Sequence, residues 1–164
     1  GEFGQGVIDP GAPVGERLIE HVCSRKATIG RLRKLLQMQR PSDIPDRIQV
    51  KHGTQDLDKL DPWIVGEAYQ AGDPLTEEVL NDSADRLGVC IANVITLLAI
   101  PTVLLGGGLA EVGGQKYADR VTGALHANLY PASHAERVRV KLTELQGDAG
   151  LIGAADLART KAMA

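Results

Sequence analysis

The chain has 164 residues, 43% of them hydrophobic and 24% charged, with a formal net charge of −3. The length suits one domain, spanning 1–164, with a real core, and the composition is that of a globular protein rather than a disordered one. The small negative charge gives no reason to expect nucleic-acid binding through bulk electrostatics, and the apolar run 89–105 is shorter than a membrane span and broken by Asn93 and Pro101.

Aromatic residues make up only 3%, so the core is expected to be built from Leu, Ile, Val and Ala. Cys23 and Cys90 lie in helical patterns without metal or redox spacing; they read as reduced, buried thiols and fit a cytoplasmic location. His21, His52, His126 and His134 have no ligand-like spacing, and surface or capping roles are expected for them. The one basic concentration, Arg25, Lys26, Arg31, Arg33 and Lys34, reads at helical spacing as a solvated face.

In chain order, the glycines and prolines of 1–14 predict loops around a short strand at 5–8. Leu18, Ile19, Val22 and Cys23 predict a helix over 16–27, and Ile29, Leu32, Leu35 and Leu36 a second helical segment. Over 41–61 the hydrophobic period fails, and a mobile surface excursion is expected. Asp61-Pro62 and Asp73-Pro74 each resemble a capped helix start, with the proline where its missing N–H does no harm. The helix from Asp73 has one apolar face as far as Leu87 and is apolar almost all round over 89–100, so its second half should be buried.

Pro101 ends that helix, and Thr102-Val103-Leu104-Leu105 reads as a buried strand. Gly106, Gly107 and Gly108 follow at once. Glycines at the carboxyl end of a strand let the backbone bend sharply and approach a ligand that any Cβ would push away, which makes this turn the best candidate for a binding site. Its bland alternative is a tight strand-to-helix turn with no ligand. Tyr117, Val121, Leu125 and Leu129 predict a helix over 115–130, alternation over 137–145 a half-buried strand, and 151–163 a final Ala-rich helix with Asp148 as a candidate cap. The sum is an α/β layered domain, helix-rich with a few strands, two of them a parallel pair joined through a helix. So narrow a sheet wants partners, and the chain, which opens on Gly1-Glu2-Phe3-Gly4 without an initiator Met, is expected to be the second half of something larger.

Gly72-Asp73-Pro74-Leu75, Leu87-Gly88, Ile91-Ala92-Asn93-Val94, Val103-Leu104-Leu105-Gly106-Gly107-Gly108 and the stretch 147–155 together resemble the carboxyl-terminal domain of the ROK family. That family comprises bacterial sugar kinases, glucokinases among them, and sugar-responsive repressors. The resemblance implies the carboxyl-terminal half of an actin-like, ribonuclease-H-like fold, with Gly106, Gly107 and Gly108 on the adenosine side of an ATP site. Upstream, Gly1-Glu2-Phe3-Gly4-Gln5 is similar to the family's Gly-Glu-x-Gly-His stretch, and Leu18-Ile19-Glu20 to its Cys-Leu-Glu segment. Glu2, Gln5 and Glu20 thereby become candidates to contact sugar hydroxyls. Glu2 has a second reading, as a residue left by cloning, and Glu20 as a solvated helix position.

Gln5 stands where the family usually has His, and the cysteine-rich zinc loop is absent, so no structural zinc is expected. The resemblance places the catalytic Asp and the phosphate-binding turns in an amino-terminal domain that this chain lacks. It implies a hexose kinase using ATP and Mg²⁺, expected to be inactive as this chain alone and to act as a homodimer. A sugar-sensing repressor, which would bind nucleic acid through a helix-turn-helix upstream, and a degenerate, non-catalytic member are the alternatives.

Overall fold

The computed structural model describes residues 2–162. Gly1, which opens the sugar-contact motif, and Met163, expected to end the last helix, lie outside the described residues. The elements run α1 (Ile19–Cys23), α2 (Arg25–Gln37), α3 (Ile44–His52), α4 (Pro62–Ala71), α5 (Pro74–Leu98), β1 (Thr102–Leu105), α6 (Gly108–Asn128), β2 (Arg139–Leu142) and α7 (Ala149–Ala162).

Helix α5 is the axle. The Asp73 carboxylate accepts hydrogen bonds from Thr76 N–H at 2.8 Å and Thr76 Oγ1 at 2.7 Å, which ties down the first turn, and Ala99 closes the helix in the left-handed conformation at φ 51°. Asp61 caps α4 in the same way, accepting from Ile64 N–H at 3.0 Å. Leu75, Val79, Leu80, Ala84, Ile91, Ala92 and Ile95 of α5 are buried against an aliphatic core shared with α4 and α6, where Tyr69 and Tyr117 are the largest enclosed side chains. Gly88 lets α5 and α6 cross closely: a Cβ there would stand 2.6 Å from Ala124 Cβ and 2.6 Å from the Val121 carbonyl oxygen.

Strands β1 and β2 pair in parallel, with Thr102 opposite Arg139 and Leu105 opposite Leu142. Val103, Leu105, Val140 and Leu142 turn toward the helices, while Thr102, Leu104, Arg139 and Lys141 are exposed on the outer face.

Elsewhere the structure departs from expectation. Residues 5–8 form no strand; Phe3–Gln5 is a 3-10 turn, and Val7 makes one antiparallel bridge to Leu18. The helix expected over 16–27 breaks at Ser24, whose hydroxyl accepts from Ala27 N–H at 3.2 Å and so caps α2. Segment 41–61 contains α3 and the 3-10 turn Leu57–Lys59, with Ile44, Ile48 and Leu60 buried. Pro45 sits at the start of α3, where it favours the helix rather than breaking it. Two anchors hold the segment: Arg33 donates to the carbonyls of Leu57, Asp58 and Leu60 at 3.0–3.2 Å, and Asp73 accepts from Asp43 N–H at 2.9 Å and Ser42 Oγ at 3.1 Å. Helix α6 starts at Gly108 rather than Gln115, and Gly114 breaks it at φ 55°, ψ −150°. From Ala149 to Lys161 every residue of α7 is exposed.

Candidate functional site

The three glycines after β1 have three different reasons to lack a side chain. A Cβ at Gly106 would stand 2.9 Å from Thr143 Oγ1, just past the end of β2. A Cβ at Gly108 would stand 2.5 Å from Arg25 Nη1 at the start of α2. Gly107, between them, has φ 90° and ψ 172°, a region open to glycine almost alone, and no heavy atom lies within 4 Å of where its Cβ would be. Gly106 is bare where Thr143 packs, Gly108 lies against the movable end of the exposed Arg25 side chain, and Gly107 presents backbone to open space. A hollow of about 60 Å³ beside the turn is lined by Gly106, Glu111, Gly114 and Thr143, too small to enclose a purine; a planar base would lie against the turn rather than inside it.

The second candidate cluster forms where the amino-terminal segment meets α1. Gln5 N–H donates to the Glu2 carbonyl at 3.1 Å, and Ile19 N–H donates to the Gly6 carbonyl at 2.9 Å, which docks the 3-10 turn on the start of α1. Glu20 Oε2 comes to 3.4 Å from the position of a Cβ on Gly4, so its carboxylate lies over the same turn that carries Glu2 and Gln5. All three side chains are exposed, with acceptors free to meet hydroxyl donors.

One residue in or beside each cluster borders a common groove, which Glu2, Gln5, Glu20 and Gly107 themselves do not line. Phe3, beside Glu2, and Gly106 both line an apolar groove of about 350 Å³ whose floor is Leu87, Ile91 and Ile95 of α5. A wider hollow of about 530 Å³, between Arg40, Asp43, Asp73 and Glu78, contains none of the candidate sugar- or nucleotide-contact residues, although the Gly72-Asp73-Pro74-Leu75 motif lines it, and Arg40 is there paired with Glu78 at 2.7 Å.

Thr143 and Arg25 were not foreseen. Arg25 belonged to the basic run read as solvated, and nothing in its spacing marks it out from Lys26; the fold alone carries it to Gly108. The cysteines sit apart from both clusters. Cys23 Sγ donates to the Ser83 carbonyl at 3.5 Å, and burial pushes its thiol up to about 11; burial raises the Cys90 thiol as well. Both stay protonated near neutral pH and are unreactive as nucleophiles in that form. Among the described residues no three His, Cys, Asp or Glu side chains stand close enough to share a cation. No helix among the described residues is long and apolar enough to cross a membrane.

The helix-rich domain with its small parallel sheet has the actin-like fold of the solved ROK sugar kinases it superposes on. The ROK family model matches residues 19–161, and the chain belongs to the ROK family. The bifunctional enzymes NanE/NanK of Brucella melitensis and Brucella suis are each 31% identical over 96 residues, covering 58% of this chain and 17% of theirs. Among solved structures, a ROK family glucokinase from Streptomyces griseus in complex with glucose and AMPPNP superposes with TM-score 0.80 at 22% identity, over 97% of this chain and 51% of that one. A ROK hexokinase from Thermus thermophilus gives TM-score 0.66 at 25% identity over 94% and 46%. A ROK family transcriptional regulator, homolog of the E. coli MLC protein, gives TM-score 0.72 at 20% identity over 87% and 34%. The chain thus spans 17% of the length of the curated relatives and about half that of the two solved kinases. The fold is that of the ROK sugar kinases, a family that also holds transcriptional regulators.

Proposed function

We propose that these residues form the carboxyl-terminal part of an ATP-dependent hexose kinase. The observation that carries the reading is the placement of Gly107: bare backbone facing open space, on a turn that borders the same groove as the segment carrying Glu2 and Gln5. Phosphoryl transfer depends on positioning and electrostatic stabilisation more than on covalent work by the protein. In this reading the turn of Gly106, Gly107 and Gly108 receives the adenosine side of ATP by close backbone approach, while Thr143 and Arg25 brace it from either side. Glu2, Gln5 and Glu20 accept hydrogen bonds from hexose hydroxyls, and two ionised carboxylates give these contacts charge-assisted strength. The proton acceptor for the reacting hydroxyl and the groups that hold Mg²⁺ and the phosphates belong to polypeptide beyond these residues, so this chain alone performs no transfer.

Gln5 in place of His and the lack of a cysteine-rich loop among these residues argue against a structural zinc. A cytoplasmic homodimer fits the reading, with exposed aliphatic side chains such as Leu97 and Leu98 as candidate contact surface. A hexose panel with ATP and Mg²⁺, assayed on the whole gene product, is expected to show turnover, and Glu20→Gln to weaken sugar binding roughly tenfold or more with ATP affinity unchanged. No turnover with any hexose would remove the kinase. The superposition on a transcriptional regulator favours a second reading, a sugar sensor, which a helix-turn-helix upstream of Gly1 together with hexose binding and no turnover would establish.

A further inference from the structure

Within the basic run, Arg31 is taken by Asp82, and Arg33 by the carbonyls of Leu57, Asp58 and Leu60. Arg25 is exposed, and among the described residues no carboxylate or carbonyl receives its guanidinium. Nor does it serve its own helix: it opens α2, the end of the helix dipole at which a cation is disfavoured. What it meets is the glycine turn. Its Nη1, Cδ and Cζ stand 2.5, 2.6 and 2.9 Å from the position of a Cβ on Gly108, so the end of the side chain lies broadside across that residue rather than pointing at it.

A planar cation beside bare backbone suits a planar ligand. Gly107 has open space where its Cβ would be, and the hollow of about 60 Å³ beside the turn is too small to take a purine, so a base held here stays outside it with one face against the bend. The delocalised, weakly hydrated guanidinium stacks on such a face, whereas an ammonium supplies a point charge alone. Stacking senses flatness and not the donors and acceptors along a base's edge, because every base has a π-face.

We propose, on the nucleotide reading of the glycine turn, that Arg25 clamps the nucleobase: its guanidinium stacks on a purine lying along Gly107, and this side of the site does not distinguish one purine from another. Arg25 is then a specificity residue for a base-bearing phosphate donor over a bare polyphosphate.

Calorimetric binding of ATP, GTP and inorganic tripolyphosphate, each with Mg²⁺, to the whole gene product and to its Arg25→Ala and Arg25→Lys variants tests this. Arg25→Ala is expected to weaken ATP and GTP alike, by about three- to thirtyfold, and to leave tripolyphosphate, which has no base, unchanged. Arg25→Lys keeps the charge and loses the plane, and is expected to recover only a small part of that loss. Because Arg25 is exposed, both variants are expected to unfold at the temperature of the parent. ATP affinity unmoved by Arg25→Ala would overturn the clamp and leave the kinase reading standing. A loss confined to one purine would overturn it too, as would tripolyphosphate weakened as much as ATP with lysine restoring both, since Arg25 would then hold phosphate. No ATP binding by the unaltered gene product would remove the nucleotide reading, and the clamp with it.

Discussion

Asp73 shows how much one side chain at a helix start can hold. Its carboxylate caps α5 and also receives Asp43 N–H and Ser42 Oγ, so a single buried group fixes both the central helix and the entry to α3. Burial alone would push this carboxyl up, but the hydrogen bonds from Thr76, Asp43 and Ser42 outweigh it and hold the group below the usual carboxylate range. As pH falls the unfolded chain therefore takes up the proton first: the stabilisation is complete above about pH 4 and is lost as pH drops through the depressed folded value. Asp73→Ala is expected to cost about 2 kcal/mol in urea denaturation at pH 7, and to flatten the fall in stability below pH 4. An equal acid slope in that variant would contradict the role given to Asp73. At Gly107 the backbone decides, because φ 90° and ψ 172° admit glycine almost alone. Gly107→Val is expected to abolish ATP binding by the whole gene product while sugar affinity holds, with a strain of about 1–3 kcal/mol visible separately in thermal unfolding. Unchanged ATP affinity would take the turn out of the site.

Among the elements, the close crossing of α5 and α6 rests on a missing side chain. Gly88→Ala puts a methyl 2.6 Å from Ala124 Cβ and is expected to lose about 1–3 kcal/mol by overpacking, even though alanine is the better helix former. Gly123→Ala, on the same α6 with nothing within 4 Å of the new methyl, is expected to gain about 0.5–1 kcal/mol. Opposite signs in chemical denaturation would confirm that the crossing, and not helix propensity, governs Gly88. Elements carrying their own local signals were legible beforehand: α4 and α5 through Asp-Pro starts, β1 through its β-branched and aliphatic run, β2 through alternation; their burial was not, since Thr102 and Leu104 of β1 and Leu97 and Leu98 at the end of α5 are exposed where a buried strand and a buried helix half were expected. Elements made by distant contacts were not legible. Ile44, Ile48, Val50, Leu57 and Leu60 are scattered through a largely polar stretch without a clear period, and what orders α3 and the turn after it is Arg33 reaching from α2 and Asp73 from the start of α5. The break in α6 at Gly114 was hidden because the sequence gives glycine no mark of the φ it will adopt.

For the molecule as a whole, the candidate site was legible where backbone chemistry is written in residue type and illegible where side chains arrive from elsewhere. Three consecutive glycines after a strand announce a bend, but not that Thr143 backs the first and Arg25 the third, leaving Gly107 alone in the open. Nor does spacing show that the segment of Glu2 and Gln5 and the glycine turn border one groove; docking of Gly6 on Ile19 does that. Titration of the whole gene product with ATP and Mg²⁺, followed at the backbone amides of Gly106, Gly107 and Gly108 by NMR, tests the account most directly. The account predicts that these amides shift and saturate with ATP, Gly107 most of all. Saturable ATP binding that leaves all three unmoved, or no ATP binding at all, would contradict it.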